Sequence, residues 1–472
     1  MEKSFAKEKQ SNSEMNDLPD PLLCHILSFL STKDSVRTSL LSKRWRSLWS
    51  QVPSFDLDLD SLQFYYDDFS FTDLVNRFLE SDENLALNRF KLICPYEYVF
   101  DNDQDDTVLE SWIDALVKRR VRHLDFQVNS DDNELVCMPL SLYSCNTLVS
   151  LSLYHVFLCG FKLASAVSLP CLKVMRLDRV RYDQSSESGE SNLETLVASC
   201  PVLEKLTVIR DRFELLEFMR VRSASLKSFV LGIEDYEVGL LGEDHVVEID
   251  APRLELMSLC DQLSRSVVIH SIAPCAVVKI DVNFDGKDGY ALLYQDDDDD
   301  DHDDDDEDDD SNSKRTMIRN FLSRISTVCG MEISSVTLQA IHNYSKLEPL
   351  PQFSDLSWLK VYFLESFWEL LPTFLCCCPS LHTLVMEFEF DKEGCPMKLS
   401  SVPPCFVSSL KYVELATQGT TKTSSQMKLA IFFLRNCSVL KKLTLSGSFG
   451  DDIIKKIKKI PRRSRRCVIV TG

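Results

Sequence analysis

Three stretches share one grammar: LVASCPVLEKLTV at residues 196–208, FLCCCPSLHTLVM at 374–386 and FLRNCSVLKKLTL at 433–445. Each opens on an apolar pair, Leu196-Val197, Phe374-Leu375 or Phe433-Leu434. Each then reaches a cysteine, Cys200, Cys378 or Cys437, three residues ahead of a leucine. From Leu203, Leu381 and Leu440 the pattern is apolar-x-x-apolar-x-apolar. Its last three positions alternate as in a strand with one face inward, and the leading leucine packs beneath that strand. The apolar pair, the cysteine and the breakers Pro201 and Pro379 read as a helix end followed by entry into the next strand. Cysteine at such a place is a small buried hydrophobe.

The frame recurs in both directions. It stands at Leu148 (LVSLSL, with Cys145 ahead of it), Leu172 (LKVMRL), Leu226 (LKSFVL), Leu254 (LELMSL), Leu356 (LSWLKV) and Leu410 (LKYVEL). Weaker copies start at Leu87, Val121, Val277 and Ile333. Starts lie 23–34 residues apart, save one gap of 56 that holds an acidic run. Strand-plus-helix units of roughly 20–29 residues are leucine-rich repeats, which stack into a solenoid. The array resembles the irregular plant version, and departs from the standard pattern where Val156, Val180 and Asp211 replace the Asn or Cys after the strand. An α/β solenoid is the fold class expected.

Ahead of the array, residues 16–53 read NDLPDPLLCHILSFLSTKDSVRTSLLSKRWRSLWSQVP. Asp20-Pro21 is a helix start, an N-cap acceptor followed by proline at N1. Leu22, Leu23, Ile26, Leu27 and Leu30 form its apolar stripe. Ser31 or Thr32 caps a second helix carrying Val36 and Leu40, and Ser42 opens a third carrying Trp45, Leu48 and Trp49. Three helices this short bury too little to stand alone and want a partner surface. The stretch resembles an F-box of the plant type, through Leu18, Pro19, Leu22, Ile26, Leu27, Leu30, Val36, Leu40, Ser42, Trp45 and Trp49. The resemblance implies docking on a Skp-type adaptor and, through it, a cullin. The residues it nominates for the contact are Leu18, Pro19, Leu22, Leu23, Ile26, Leu27, Trp45 and Trp49.

The stretch VPPCFVSSLKYVELATQGTTKTSSQMKLAIFFLRNCSVLKKLTL also resembles the FBD domain that ends many plant F-box proteins. Pro404, Cys405, Leu410, Val413, Leu434, Cys437, Leu440 and Leu443 carry the match. The expected organisation is a disordered 1–14, a three-helix F-box at 15–60, irregular leucine-rich repeats at 80–395 and an FBD region with a basic tail at 396–472. An acidic disordered insert is expected at 295–314, since fourteen of the fifteen residues Asp296–Asp310 are acidic and such a segment buries no apolar area.

Composition bounds the chemistry. The 472 residues are 44% hydrophobic and carry a formal charge of −21. Without the acidic run the remainder stands at −7, so broad nucleic-acid binding is disfavoured. The first residues are charged and polar, with no signal peptide expected, and no apolar run is long enough for a membrane span. Seventeen cysteines without a CxxC pair read as reduced thiols in cytosol or nucleus. Asp281, Asn283 and Asp285-Gly286 mimic half of a calcium loop, but its twelfth position is Leu292, so no metal is assigned. Lys455, Lys456, Lys458, Lys459, Arg462, Arg463, Arg465 and Arg466 interleave with Ile453, Ile454, Ile457 and Ile460 at helical spacing. A final amphipathic helix packed on the array is favoured there over an import signal or an anion-binding surface. GxSxG, Walker, HExxH and GxGxxG patterns are absent, and no catalytic or cofactor-binding residue is assigned.

The expected function is therefore a non-catalytic one: substrate recognition for an SCF-type ubiquitin ligase, with an unknown target protein held by the repeats. The alternative is an F-box-bearing scaffold acting outside ubiquitination.

Overall fold

The structure, a computed structural model, describes residues 18–59, 71–81, 86–96, 106–130, 135–159, 167–182, 192–210, 218–233, 245–261, 264–284, 307–364, 368–389, 402–417, 423–447 and 449–471. The expected disordered 1–14 and most of the acidic run lie outside these residues. The chain divides into two compact units, 1–214 and 215–472.

The first unit begins with α1 (Asp20–Leu27) and α2 (Thr32–Arg37), followed by 3-10 turns at Thr38–Leu40 and Leu48–Gln51. Its helices are α3 (Phe71–Leu79), α4 (Asp106–Lys118) and α5 (Asn192–Ala198). Strands β1 (Ser54–Asp58), β2 (Arg89–Pro95), β3 (His123–Asn129), β5 (Ser150–Tyr154), β7 (Val174–Asp178) and β9 (Lys205–Arg210) form one parallel sheet in chain order. Between them β4 (Val136–Cys137), β6 (Val156–Leu158) and β8 (Arg181–Tyr182) make a second, smaller parallel sheet.

The second unit repeats the scheme. Its main parallel sheet runs β11 (Ser228–Ile233), β13 (Leu256–Asp261), β15 (Val277–Val282), β16 (Gly330–Ile333), β17 (Trp358–Leu364), β18 (Thr383–Glu389), β19 (Tyr412–Thr417), β20 (Lys442–Gly447) and β21 (Val468–Thr471). The side sheet is β10 (Phe218–Arg222), β12 (Val246–Asp250) and β14 (Ser266–Ser271). The helices are α6 (Glu307–Arg324), α7 (Ser335–Ser345), α8 (Leu370–Cys376), α9 (Cys405–Ser408), α10 (Thr423–Asn436) and α11 (Asp451–Lys458).

The repeat frame explains this order. At all nine strong frames, and at Leu87 and Val121, the strand begins two residues after the leading residue, which is itself buried. The cysteines ahead of the frame are likewise inside: Cys145, Cys200, Cys378 and Cys437 are at most 1% exposed. Cys200 and Cys378 offer their thiols to the carbonyls of Leu196 and Phe374 in the preceding helix turn, at 3.2 and 3.3 Å. Burial pushes the Cys200 thiol up to about 12, so Cys200 serves packing and not nucleophilic chemistry.

Several expectations are corrected. The frames at Val277 and Ile333 are out of register. In β15 the inward residues are Val278, Ile280 and Val282, while Val277 is open; in β16 they are Met331 and Ile333, led by Val328. Gly330 hid the second copy: it sits in register between Val277 and Trp358, where an added Cβ would come within 3.2 Å of Val277. Strand-plus-helix units hold for only part of the array. Where the return segment is short and β-branched, as in VVEID and SVVIHS, a second strand takes the helix's place. The insert is not disordered to residue 314, because α6 starts at Glu307, extended upstream from the buried stripe Ile318, Phe321, Leu322 and Ile325. Nor is every thiol free, since Cys137 and Cys159 form a disulfide beside β4 and β6. The final amphipathic helix is present as α11, which buries Ile453 and Ile457 and leaves its lysines outside.

Candidate partner-binding surfaces

The N-terminal module has two regular helices, and its third segment is a chain of turns. Ser31 caps α2 by accepting the Asp34 N–H at 3.1 Å. The start of α1 lies one residue earlier than the sequence suggests. Pro19 takes the N-cap place, and Asp20 turns its carboxylate to Arg44 Nε at 2.8 Å. Arg44 also donates to the Leu18 carbonyl, which ties the chain before α1 to the LSKRW segment. That segment abandons the helix because its apolar groups are drawn inward. Leu23, Cys24, Leu27, Trp45, Leu48 and Val52 close into a small core, with Leu18 packed against it.

Burial therefore divides the eight residues expected to touch a partner. Leu23, Leu27, Trp45 and Trp49 are at most 5% exposed, the first three inside the module's own core and Trp49 against Phe78. Leu18 is partly covered by the same core. Pro19, Leu22 and Ile26 face outward, Leu22 at 50% and Ile26 at 37% exposure. The open surface continues through residues the sequence reading did not nominate: Phe29 (76%), Leu30 (43%), Leu40 (87%) and Leu41 (68%). Their signal was arithmetic. Leu22, Ile26 and Phe29 are spaced i, i+4, i+7, a second stripe beside the inward Leu23 and Leu27. Six large apolar groups within twenty residues are thus left in water.

The module is fastened to the first strands of its unit. The Asp56 N–H in β1 donates to Thr32 Oγ1 at 2.7 Å, and Ser81 Oγ donates to the Ser50 carbonyl at 2.7 Å. Trp49 stacks on Phe78 with ring centroids 6.3 Å apart.

A second surface is the outward row of each main sheet. In the second unit it carries a charge ladder. Lys360 Nζ lies 3.0 Å from Glu387 and 3.8 Å from Glu332, and Lys279 reaches Glu332 at 3.6 Å. Tyr362 donates to Glu332 at 3.2 Å, and the Lys360 ammonium sits 4.8 Å from the Tyr362 ring. Burial alone would lower the Lys360 pKa, but Tyr362, Glu387 and Glu332 together hold it above its usual 10.5. The stabilisation is complete below that usual value and is lost only as pH rises through the elevated one, so all of it is present at pH 7. Lys360→Met leaves two carboxylates facing each other and is expected to cost about 1–2 kcal/mol, measured by denaturant unfolding at pH 7. A loss below ~0.5 kcal/mol would reduce the ladder to screened surface charge.

Among the described residues, no cluster of three or more His, Cys, Asp or Glu side chains is placed to hold a metal ion. No described helix is long and apolar enough to cross a membrane.

Three stretches of the chain match known protein families. Residues 15–57 match the F-box domain, residues 109–280 match the LRR repeats of the FBD-associated F-box protein At5g56370, and residues 398–445 match FBD. The F-box/FBD/LRR-repeat protein At1g80470 of Arabidopsis thaliana is 45% identical over 99% of this chain and 93% of its own length. From the same plant, the FBD-associated F-box protein At1g60410 is 41% identical over 93% of this chain and 99% of its own. F-box/LRR-repeat protein 13 is 39% identical over 98% and 97%. With an F-box module, a parallel repeat sheet and an FBD stretch in this order, the chain belongs to the F-box/FBD/LRR-repeat protein family.

Proposed function

We propose that this chain is the target-recognition subunit of an SCF-type E3 ubiquitin ligase. The observation that carries the reading is the outward apolar row of the N-terminal module. Leu22, Ile26, Phe29, Leu30, Leu40 and Leu41 stand in water while their sequence neighbours fill the module's own core. Such a row gains free energy by docking on a complementary groove, and a Skp-type adaptor, linked in turn to a cullin, is the partner that the F-box implies. A few large apolar anchors dominate an interface of this kind. The repeat sheets then offer their outward rows to a target protein.

The chain supplies position and no bond chemistry. Tethering adaptor and target on one polypeptide raises the effective concentration of target lysines near the charged conjugating enzyme.

The test is capture of a purified Skp-type adaptor by the full chain and by Leu22→Asp/Ile26→Asp. Both side chains are outside the core, so the variant should keep the melting profile of the parent while losing at least about a hundredfold in affinity, two anchors at about 1.5 kcal/mol or more each. Capture that survives in the double variant, or that is missing in the folded parent, overturns the reading.

A further inference from the structure

The C-terminal end of the second unit is unlike the rest of the chain in charge. From Lys411 onward there are fourteen lysines and arginines against three acidic residues, in a protein whose total is −21. Lys455, Lys456, Lys458, Lys459, Arg462, Arg463, Arg465 and Arg466 are all exposed, because α11 spends only Ile453 and Ile457 on packing. Among the described residues, little neutralises them. Lys455 has Asp452 at 3.7 Å on its own helix. Arg462 and Arg463 donate to backbone carbonyls, those of Cys467, Lys458 and Asn436, which leave their charge uncompensated. Among the described residues no carboxylate pairs with Lys456, Lys458, Lys459, Arg465 or Arg466.

Arg465 and Arg466 directly precede the last described strand of the sheet, and Arg462 donates to the Cys467 carbonyl at its start. β21 pairs with β20 on one side, with Lys442 opposite Val468 and Leu443 opposite Ile469, and no described strand lies beyond it. Its apolar groups are correspondingly open. Val468 is 57% exposed. Ile469 occupies the register position at which Leu443 is fully buried, yet it is itself only partly buried. An open parallel edge presents a row of unpaired backbone donors and acceptors, ready to accept one more strand.

We propose that this edge takes up an extended acidic segment of the target protein as an additional strand. Backbone pairing to β21 supplies the register, Ile469 and Val468 gain cover, and the acidic side chains meet the lysines and arginines. A second copy of this chain is a poor occupant, since edge-to-edge pairing would bring two sets of eight cations together. Charge here excludes self-association and selects the opposite sign. A nucleic acid would satisfy the cations but leave both the backbone edge and Ile469 unused. The proposal builds on the reading of the chain as a target receptor and gives that target a chemical character.

The experiment uses the full chain and three fluorescent octapeptides: alternating Glu-Val, alternating Lys-Val, and a Glu peptide with proline in place of valine. Anisotropy at low salt should show binding of the Glu-Val peptide, none of Lys-Val, and at least tenfold weaker binding of the proline peptide, which cannot pair as a strand. Arg465→Glu/Arg466→Glu should weaken Glu-Val binding at least tenfold. Equal binding of the Glu-Val and proline peptides, tighter binding of a single-stranded oligonucleotide of equal charge, or no peptide binding would each overturn the proposal. In the last case the cations serve only to blunt the edge. Adaptor capture measured on the same preparations separates the two readings: retained capture with failed peptide binding strikes the edge alone.

Discussion

Phe78→Ala is expected to remove about 3–5 kcal/mol from the first unit, the range for emptying a buried aromatic site. Phe78 is fully buried at the end of α3 and sits where the N-terminal module meets the sheet. Its ring lies 4.7 Å from Phe55 of β1 and 6.3 Å from Trp49 of the module, and Phe55 in turn stacks on Phe90 of β2 at 4.9 Å. The Arg119 guanidinium lies over the same ring at 4.9 Å and donates to the Phe78 carbonyl at 2.9 Å. Truncation therefore leaves a cavity between two aromatic neighbours and strips the face of a buried cation, and the surrounding strands cannot collapse to fill it. The melting temperature of the first unit should fall by roughly 10 °C.

The functional consequence is separable from the loss of stability. The module's own core, Leu23 to Val52, does not include Phe78. At a temperature where the variant remains folded, adaptor capture should persist. Under the proposed function, ubiquitin transfer to a bound target should still decline, because the module's orientation toward the sheet is held through Trp49, Phe78 and Phe55. A stability loss below ~1 kcal/mol would show that this aromatic joint is not what fixes the module.

The contrast between Phe78 and the outward Leu22 marks how far the sequence could be read. Strand positions were legible because alternation after a leading leucine is a local signal, and Leu203, Leu381 and Leu440 each place a strand two residues on. The cysteines were legible for the same reason. Sidedness within α1 was not. Leu22, Leu23, Ile26 and Leu27 form two adjacent apolar rows on an eight-residue helix, and periodicity alone does not say which row faces the core. That choice is made by Trp45, Leu48 and Val52, between 18 and 30 residues away, and the same tertiary demand turned the expected third helix into turns. The side strands β10, β12 and β14 escaped notice because five or six residues of alternation between frames resemble ordinary linkers.

Gly447→Ala should be the most damaging single-methyl change in the second unit, at about 3 kcal/mol or more. Gly447 ends β20 with φ at +82°, a region that costs an L residue about 1 kcal/mol or more. A Cβ built there would lie 2.0 Å from the Thr417 carbonyl oxygen, in the neighbouring strand and in direct register. Backbone on both sides is held by the sheet, so one ladder must yield. The geometry at Gly447 also begins the turn by which Phe449 reaches Phe388, with ring centroids 6.4 Å apart, before α11 starts. Disturbing it should release α11 and β21 together, read as lost hydrogen-exchange protection across 451–471 while β16 and β17 stay protected. Gly450→Ala is the control. Its φ is −68°, and the added methyl would meet only Ile453 Cδ1 at 4.0 Å, so it should cost no more than about 1 kcal/mol. If both variants behave alike, the close approach to Thr417 is not what demands glycine. If Gly447→Ala alone opens the end of the sheet, the acidic Glu-Val peptide should lose its site with it, because the strand it pairs with would no longer be held.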